Sequence, residues 1–147
     1  MSAVALLDAN VLIALFDPDH VQHEPAHDWF EDHRLNGWAT CPLTENALVR
    51  ILGHPQYSPV PESPAQIIKR LRRFCGSGQH VFWGDTLSIR DRQYFPATFA
   101  ASGRQLTDTY LLGLAVANRG ILATFDAAIA AATVTGATAD HLALIRA

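Results

Sequence analysis

Four carboxylates stand at comparable points of this chain. Asp8 closes the apolar run 4–7, and Asp126 closes a second such run, ILATF, at 121–125. Glu45 and Asp108 each fall in the opening turn of an apolar helical stretch, after CPLT at 41–44 and LT at 106–107. Singly, an acid at a helix start is a cap or a dipole partner, worth about 0.3–1 kcal/mol. Together the four carry more meaning. In a parallel α/β sheet the ends of strands and the starts of the following helices share one rim, where ligands bind. Two like charges about 4 Å apart repel by about 4 kcal/mol at an effective dielectric of about 20. Without a cation, some of these acids must take up protons. Hard oxygen donors suit Mg²⁺ or Mn²⁺, with water and substrate phosphate completing the shell. The chemistry that follows is hydrolysis of a phosphodiester. A metal activates the water, polarises the phosphoryl oxygen and stabilises the leaving alkoxide.

The elements that must position these acids follow from apolar spacing. VALLDAN, 4–10, reads as a short buried strand that turns into a helix near Asn10. VLIALF, 11–16, is that helix, with Asn10 as N-cap and Asp17-Pro18 as its stop. Pro25 opens a second helix, with Ala26, Trp29 and Phe30 inward, ending near Asn36-Gly37. A strand at 38–41 leads into a helix from Pro42, with Ala47, Leu48, Ile51 and Leu52 at helical spacing. Gly53 and four prolines make 53–64 a loop. The spacing then predicts an amphipathic helix over 65–75 with Ile67, Ile68, Leu71 and Phe74 inward, and a strand at 80–83. Short helices broken by Pro96 and Gly103 are predicted over 86–104. The clearest helix is 106–120, capped at Gly120. A strand at 121–126 follows, and the Ala-rich tail offers an edge strand at 132–135. No internal repeat is visible. Strands alternating with helices predict an α/β fold with a parallel sheet covered on both faces.

Length and composition agree with one domain over 1–147. The chain has 147 residues, 49% hydrophobic and 17% charged, which is globular rather than disordered. Its net charge of −3 excludes a protein that holds nucleic acid by bulk positive charge. Any such role rests on a local patch or a metal. Cys41 and Cys75 are too few for a disulfide scaffold and fit no metal-ligand spacing, so both read as reduced thiols of a cytosolic protein. The start of the chain lacks a basic n-region, so no signal peptide is expected. The longest apolar run, 11–16, is too short to span a bilayer.

LLDANVLIAL, CPLTENALVRIL, LTDTYLLGLAV and LATFD, in this order and at these separations, resemble the PIN-domain ribonucleases. They most resemble the VapC toxins of bacterial type II toxin–antitoxin pairs. The resemblance covers essentially the whole chain. It implies a three-layer α/β/α sandwich with a mainly parallel sheet of four to five strands. It implies that Asp8 and Asp108 are the main Mg²⁺ ligands, with Mn²⁺ able to substitute. Glu45 and Asp126 bind directly or through water, and Asn10 and Thr124 orient the acids. All four acids are present, so the resemblance implies an active enzyme. It also implies RNA as substrate, a cognate VapB-type antitoxin that blocks the site, and homodimers; with the short apolar runs and the two thiols, no membrane association and a cytoplasmic location are expected.

Other features give weaker signals. His23-Glu24-Pro25-Ala26-His27 matches H-E-x-x-H, but Pro25 confines it to a helix's first turn, where a zinc pair does not fit. Asp85 also follows a strand and reads as a loop aspartate, with a fifth rim acid as the other option. Lys69, Arg72 and Arg73, with Arg70 nearby, read as a solvated helix face opposite Ile67 and Leu71, or as an RNA-backbone patch. Arg90, Arg92, Arg104 and Arg119 are open to the same use. Trp29, Phe30, Trp38 and Trp83 read chiefly as core.

Rival readings come from other classes of protein. A receiver-type phospho-acceptor also clusters acids at strand ends, but needs a lysine at a late strand end, and the sole lysine, Lys69, is mid-helix. An aspartyl-phosphate hydrolase wants an acid where Asn10 stands. A catalytically silent RNA- or partner-binding domain on the same scaffold is the other rival, and the complete acidic set argues against it.

Overall fold

The computed structural model describes residues 3–96 and 103–146, apart from the side chain of Arg104. Five strands form one sheet: β1 (Ala5–Leu7), β2 (Trp38–Thr40), β3 (His80–Phe82), β4 (Ile121–Thr124) and β5 (Leu142–Leu144). Their order is β3-β2-β1-β4-β5, and every pairing is parallel. Parallel neighbours need long crossovers. The helices in those crossovers are α1 (Ala9–Phe16), α2 (His23–His33), α3 (Pro42–Leu52), α4 (Pro64–Cys75) and α5 (Leu106–Ala117).

From β1 the chain steps to β2 and β3 on one side, then returns to β4 on the other. The order therefore reverses between β1 and β4. In open α/β sheets the crevice outside the carboxyl ends at such a reversal is where ligands bind.

Strand alternation decides which layer each side chain enters. Ala5, Leu7 and Trp38 pack with Val11, Leu12, Phe30, Leu48 and Ile67, the apolar stripes of α1 to α4. Leu6, Ala39 and Leu122 pack with Leu111, Leu112 and Leu114 of α5 on the opposite face. Two residues beyond Leu6 and Leu122, Asp8 and Thr124 share the α5 side. Two residues beyond Trp38, Thr40 faces the other way.

Several boundaries differ from the expectations. Residues 132–135 are not an edge strand. Ala131–Thr133 is a 3₁₀ turn, Val134 is buried in the α5 layer, and the Thr135 N–H donates to the Tyr94 carbonyl at 2.9 Å. The edge is β5, three half-buried residues whose alternation is too short to read in sequence. Asn10 is not the N-cap of α1. The helix starts at Ala9, and the Asp8 carbonyl accepts from Val11 and Leu12, both at 3.0 Å. α2 starts at His23, before Pro25. Ile68 faces outward, one helical step away from Ile67, while Leu71 follows Ile67 inward. Residues 86–96 make turns rather than helices, Gly103–Gln105 is a 3₁₀ turn, and 97–102 lie outside the described residues.

α5 ends at Ala117 with Asn118 as C-cap, and Arg119 takes the left-handed conformation at φ 58°. Gly120 serves packing instead of capping. A Cβ there would lie 2.5 Å from both the Trp83 ring and the Val4 carbonyl oxygen.

Candidate active site

Asp8 leaves β1 and caps α1 within one residue, so its carboxyl is held at the reversal point and is only 5% exposed. The Thr124 hydroxyl, at the end of β4, donates to its Oδ2 at 2.9 Å. Thr124 Oγ1 in turn accepts the Asp126 N–H at 3.1 Å, and Asp126 Oδ1 accepts the Ala128 N–H at 2.8 Å. One threonine thus links the two strand-end acids. This link exists because β1 and β4 are neighbours in register, Leu7 opposite Ala123.

Burial pushes the Asp8 carboxyl above the ordinary carboxylate range. The Thr124 hydroxyl and the Ala9 and Asn10 amides work against that rise, and the charge of Asp126 adds to it. Asp108, in the first turn of α5, is pushed up to about 6, first by desolvation and then by the charges of Asp8 and Asp126. A hydrogen bond with Asp126 raises it further. Asp8, Asp108 and Asp126 are therefore one mutually repelling group at the carboxyl ends of β1 and β4. Asn10 lies exposed in the first turn of α1.

Glu45 has a hydrogen-bond partner of its own. It accepts a 2.6 Å hydrogen bond from Thr40 Oγ1, on the sheet face opposite Asp8. Thr40 Oγ1 also lies 2.8 Å from His80 Nε2. A hydroxyl has one proton, so Thr40 donates to Glu45 and accepts from the His80 Nε2–H. The charge of Glu45 acts on Cys75 and His80. Cys75 is pushed up to about 11, chiefly by burial. Burial lowers His80, against a smaller opposing effect of Glu45. Among the described residues, the group that gathers three ligand atoms within 4.8 Å of one another is Glu45, Cys75 and His80, not the aspartates.

A cleft of roughly 170 Å³ opens between the first turns of α1, α3 and α5, and none of the four acids lines it. Its walls include Ala9 and Thr107, the neighbours of Asp8 and Asp108, with Asn46, Ala47 and Arg50 from α3. Sequence reading missed Asn46, Arg50 and Thr107. The signal available was the four-residue spacing of Asn46 and Arg50, which puts both on one helical face. Among the described residues no carboxylate pairs with Arg50. A larger cavity of about 860 Å³ lies by Asp17, Val21, Tyr57 and Arg70 and contains none of the four acids.

The remaining candidates fall outside the cleft. His23 Nδ1 is engaged with the Ala14 carbonyl at 2.7 Å, and its ring centroid is 6.0 Å from that of His27. Asp85 is exposed and interacts with Tyr110. Lys69, Arg72 and Arg73 stand exposed opposite Ile67 and Leu71. Arg70 is tied to Glu62 and lies over the Phe16 ring. Arg90, Arg92 and Arg119 are exposed, and the Arg104 side chain lies outside the described residues.

The pattern of the PIN domain family matches residues 5–134, from β1 past Asp126. The chain belongs to the PIN domain family. Relatives from Mycobacterium tuberculosis agree over nearly the full length. The chain is 46% identical to Ribonuclease VapC44 over 141 residues, 96% of this chain and 99% of the relative. It is 40% identical to Ribonuclease VapC39, over 86% of this chain and 91% of that protein. It is 38% identical to Ribonuclease VapC38, over 86% and 87%. Within this PIN domain, Thr124 links Asp8 to the Asp126 backbone, the charges of Asp8 and Asp126 act on Asp108, and Glu45 accepts from Thr40.

Proposed function

We propose that this PIN domain is a metal-dependent endoribonuclease and acts as the toxin of a toxin–antitoxin pair. The observation that carries the reading is the convergence of Asp8, Asp108 and Asp126 where β1 and β4 end. Similarity over 86% to 96% of the chain to proteins named Ribonuclease VapC supports it.

The donor set fits a hard divalent cation. All three groups are carboxylates, and burial, followed by the charges of Asp8 and Asp126, pushes Asp108 up to about 6. Such crowding is relieved by a cation with a preference for oxygen. We take that cation to be Mg²⁺, with Mn²⁺ able to substitute, held by Asp8 and Asp108 with Asp126 beside them. When bound, the ion supplies a water ionised near neutral pH and offsets charge on the scissile phosphate. Thr124 fixes the buried Asp8 carboxylate by donating to one oxygen, which leaves the other oxygen for the ion. Asn10, at the helix start, orients the acids from the exposed side. Glu45, which accepts from Thr40, contributes to the acidic set through water. Asn46, its neighbour, lines the cleft meanwhile. Arg50 on the cleft wall supplies positive charge for a substrate phosphate, the local patch that a chain of net charge −3 requires.

The VapC relationship supports RNA as substrate, a VapB-type antitoxin as partner, and homodimers. We assign the protein to the cytoplasm. Among the described residues no helix is long and apolar enough to cross a membrane.

The test is cleavage of total cellular RNA by the purified chain, freed of any antitoxin, with Mg²⁺, Mn²⁺ or EDTA. Discrete fragments that require metal and disappear in Asp8→Asn are expected. Fragments that persist in EDTA, or in Asp8→Asn, overturn the proposal.

A further inference from the structure

We propose that Glu45, Cys75 and His80 form a second cation site, specific for a borderline-soft divalent ion of the zinc class and separate from the aspartates. The three residues come from three elements: the first turn of α3, the last residue of α4 and the first residue of β3. Their ligand atoms already lie within 4.8 Å of one another. Tetrahedral zinc with bonds of about 2.0–2.3 Å places its ligands about 3.3–3.6 Å apart. Rotation of half-buried side chains covers that difference.

The donor chemistry selects the ion. A thiolate and an imidazole disfavour Mg²⁺, whereas one carboxylate, one imidazole and one thiolate suit Zn²⁺. On binding, the ion replaces the Cys75 thiol proton, which leaves to solvent. Three protein ligands leave one position for water, and the half-buried setting admits it. The surroundings hold the ligands in place. The Trp38 ring packs on His80 at 4.6 Å between centroids, and the Thr40 hydroxyl lies between Glu45 and His80. Such outer partners orient ligands at metal sites. The site also lies on the Thr40 side of the sheet, opposite Asp8, and uses none of the three aspartates.

The experiment uses the full chain carrying Asp8→Asn, which weakens the acidic site, with Co²⁺ as a spectroscopic probe and Zn²⁺ as competitor. Expected is a thiolate-to-cobalt charge-transfer band that saturates at one ion per chain and is displaced by Zn²⁺. Adding Cys75→Ser abolishes the band and weakens Zn²⁺ binding at least about 100-fold, more than loss of an outer partner costs. His80→Gln gives the same direction, and Cys41→Ala leaves the band intact. Thermal melting without metal shows that each variant is folded. If Cys75→Ser fails to fold, His80→Gln carries the test. A band that is absent in the parent, or undiminished in both Cys75→Ser and His80→Gln, overturns the site. Its failure leaves the ribonuclease reading untouched, because that reading rests on cleavage requiring Asp8.

Discussion

At the scale of single residues, Thr124 matters more than its size suggests. It donates to the buried Asp8 and accepts from the Asp126 backbone, so it sets both strand-end acids. Thr124→Val keeps the shape and removes both bonds. RNA cleavage should fall about 10–100-fold, as for other lost outer partners of metal ligands. Thr124→Ser should restore most of it, and an unimpaired valine variant would contradict the role. Asp108 gives a prediction in pH. Its folded-state value of about 6 lies above the ordinary 3.8, so the metal-free fold holds that proton more tightly than the unfolded chain. The stabilisation is full below about pH 4 and is lost as pH rises through about 6. The melting temperature of metal-free protein should therefore fall across that window. Asp108→Asn should flatten the fall and melt a few degrees higher at pH 7, while cleavage is lost. Calorimetric scans of both proteins in EDTA check this. A variant that melts well below wild type at pH 7 would contradict the crowded-rim picture.

At the scale of elements, the turn between the end of α5 and the start of β4 is a tight constraint. Gly120 lets the backbone pass where a Cβ would meet the Trp83 ring and a backbone carbonyl at 2.5 Å. The carbonyl cannot move without breaking the Ile121 N–H to Val4 bond of 3.0 Å that starts the β1–β4 pairing. Gly120→Ala should cost about 1–3 kcal/mol, the usual range for overpacking. Thermal melting should show a drop of several degrees, with reduced cleavage because β1 and β4 carry Asp8 and Thr124. An unchanged melt would mean that Trp83 and the backbone yield freely. The placement of Glu45 is also an element-scale matter. Thr40 leaves β2 on the side opposite Asp8, and α3 starts two residues later. The first turn of α3 therefore puts Glu45 over Thr40 and His80, and Asn46, one step further, on the cleft.

At the scale of the whole molecule, the proposed cation site predicts a change in stability. Mg²⁺ or Mn²⁺ at about ten times its dissociation constant should stabilise the wild type by about 1.4 kcal/mol. For a domain of this size that is a rise of roughly 3–6 °C in melting temperature. Asp8→Asn should barely respond. Equal shifts in the two proteins would mean that Asp8 is no ligand.

The sequence alone determined the order of the first four strands and the five α-helices, because buried parallel strands and amphipathic helices carry distinct apolar patterns. It also determined which acids sit at strand ends and helix starts, and the resemblance carried by LLDAN, TENALVRIL, LTDTYLLGLAV and LATFD. Short or context-dependent features stayed hidden. β5 is three residues long and half-buried, and 132–135 had strand-like residues that tertiary packing turned into a 3₁₀ turn. Gly120 looked like a helix cap because a sequence does not show a tryptophan ring packed above it. Only the tertiary structure decided which acids meet. Strand adjacency joined Asp8 to Thr124 and Asp126, more than a hundred residues away, whereas side-chain alternation on β2 drew Glu45 to Thr40, His80 and Cys75. Sequence spacing says which elements a residue belongs to, but the register between strands fixes the face on which its side chain finds partners.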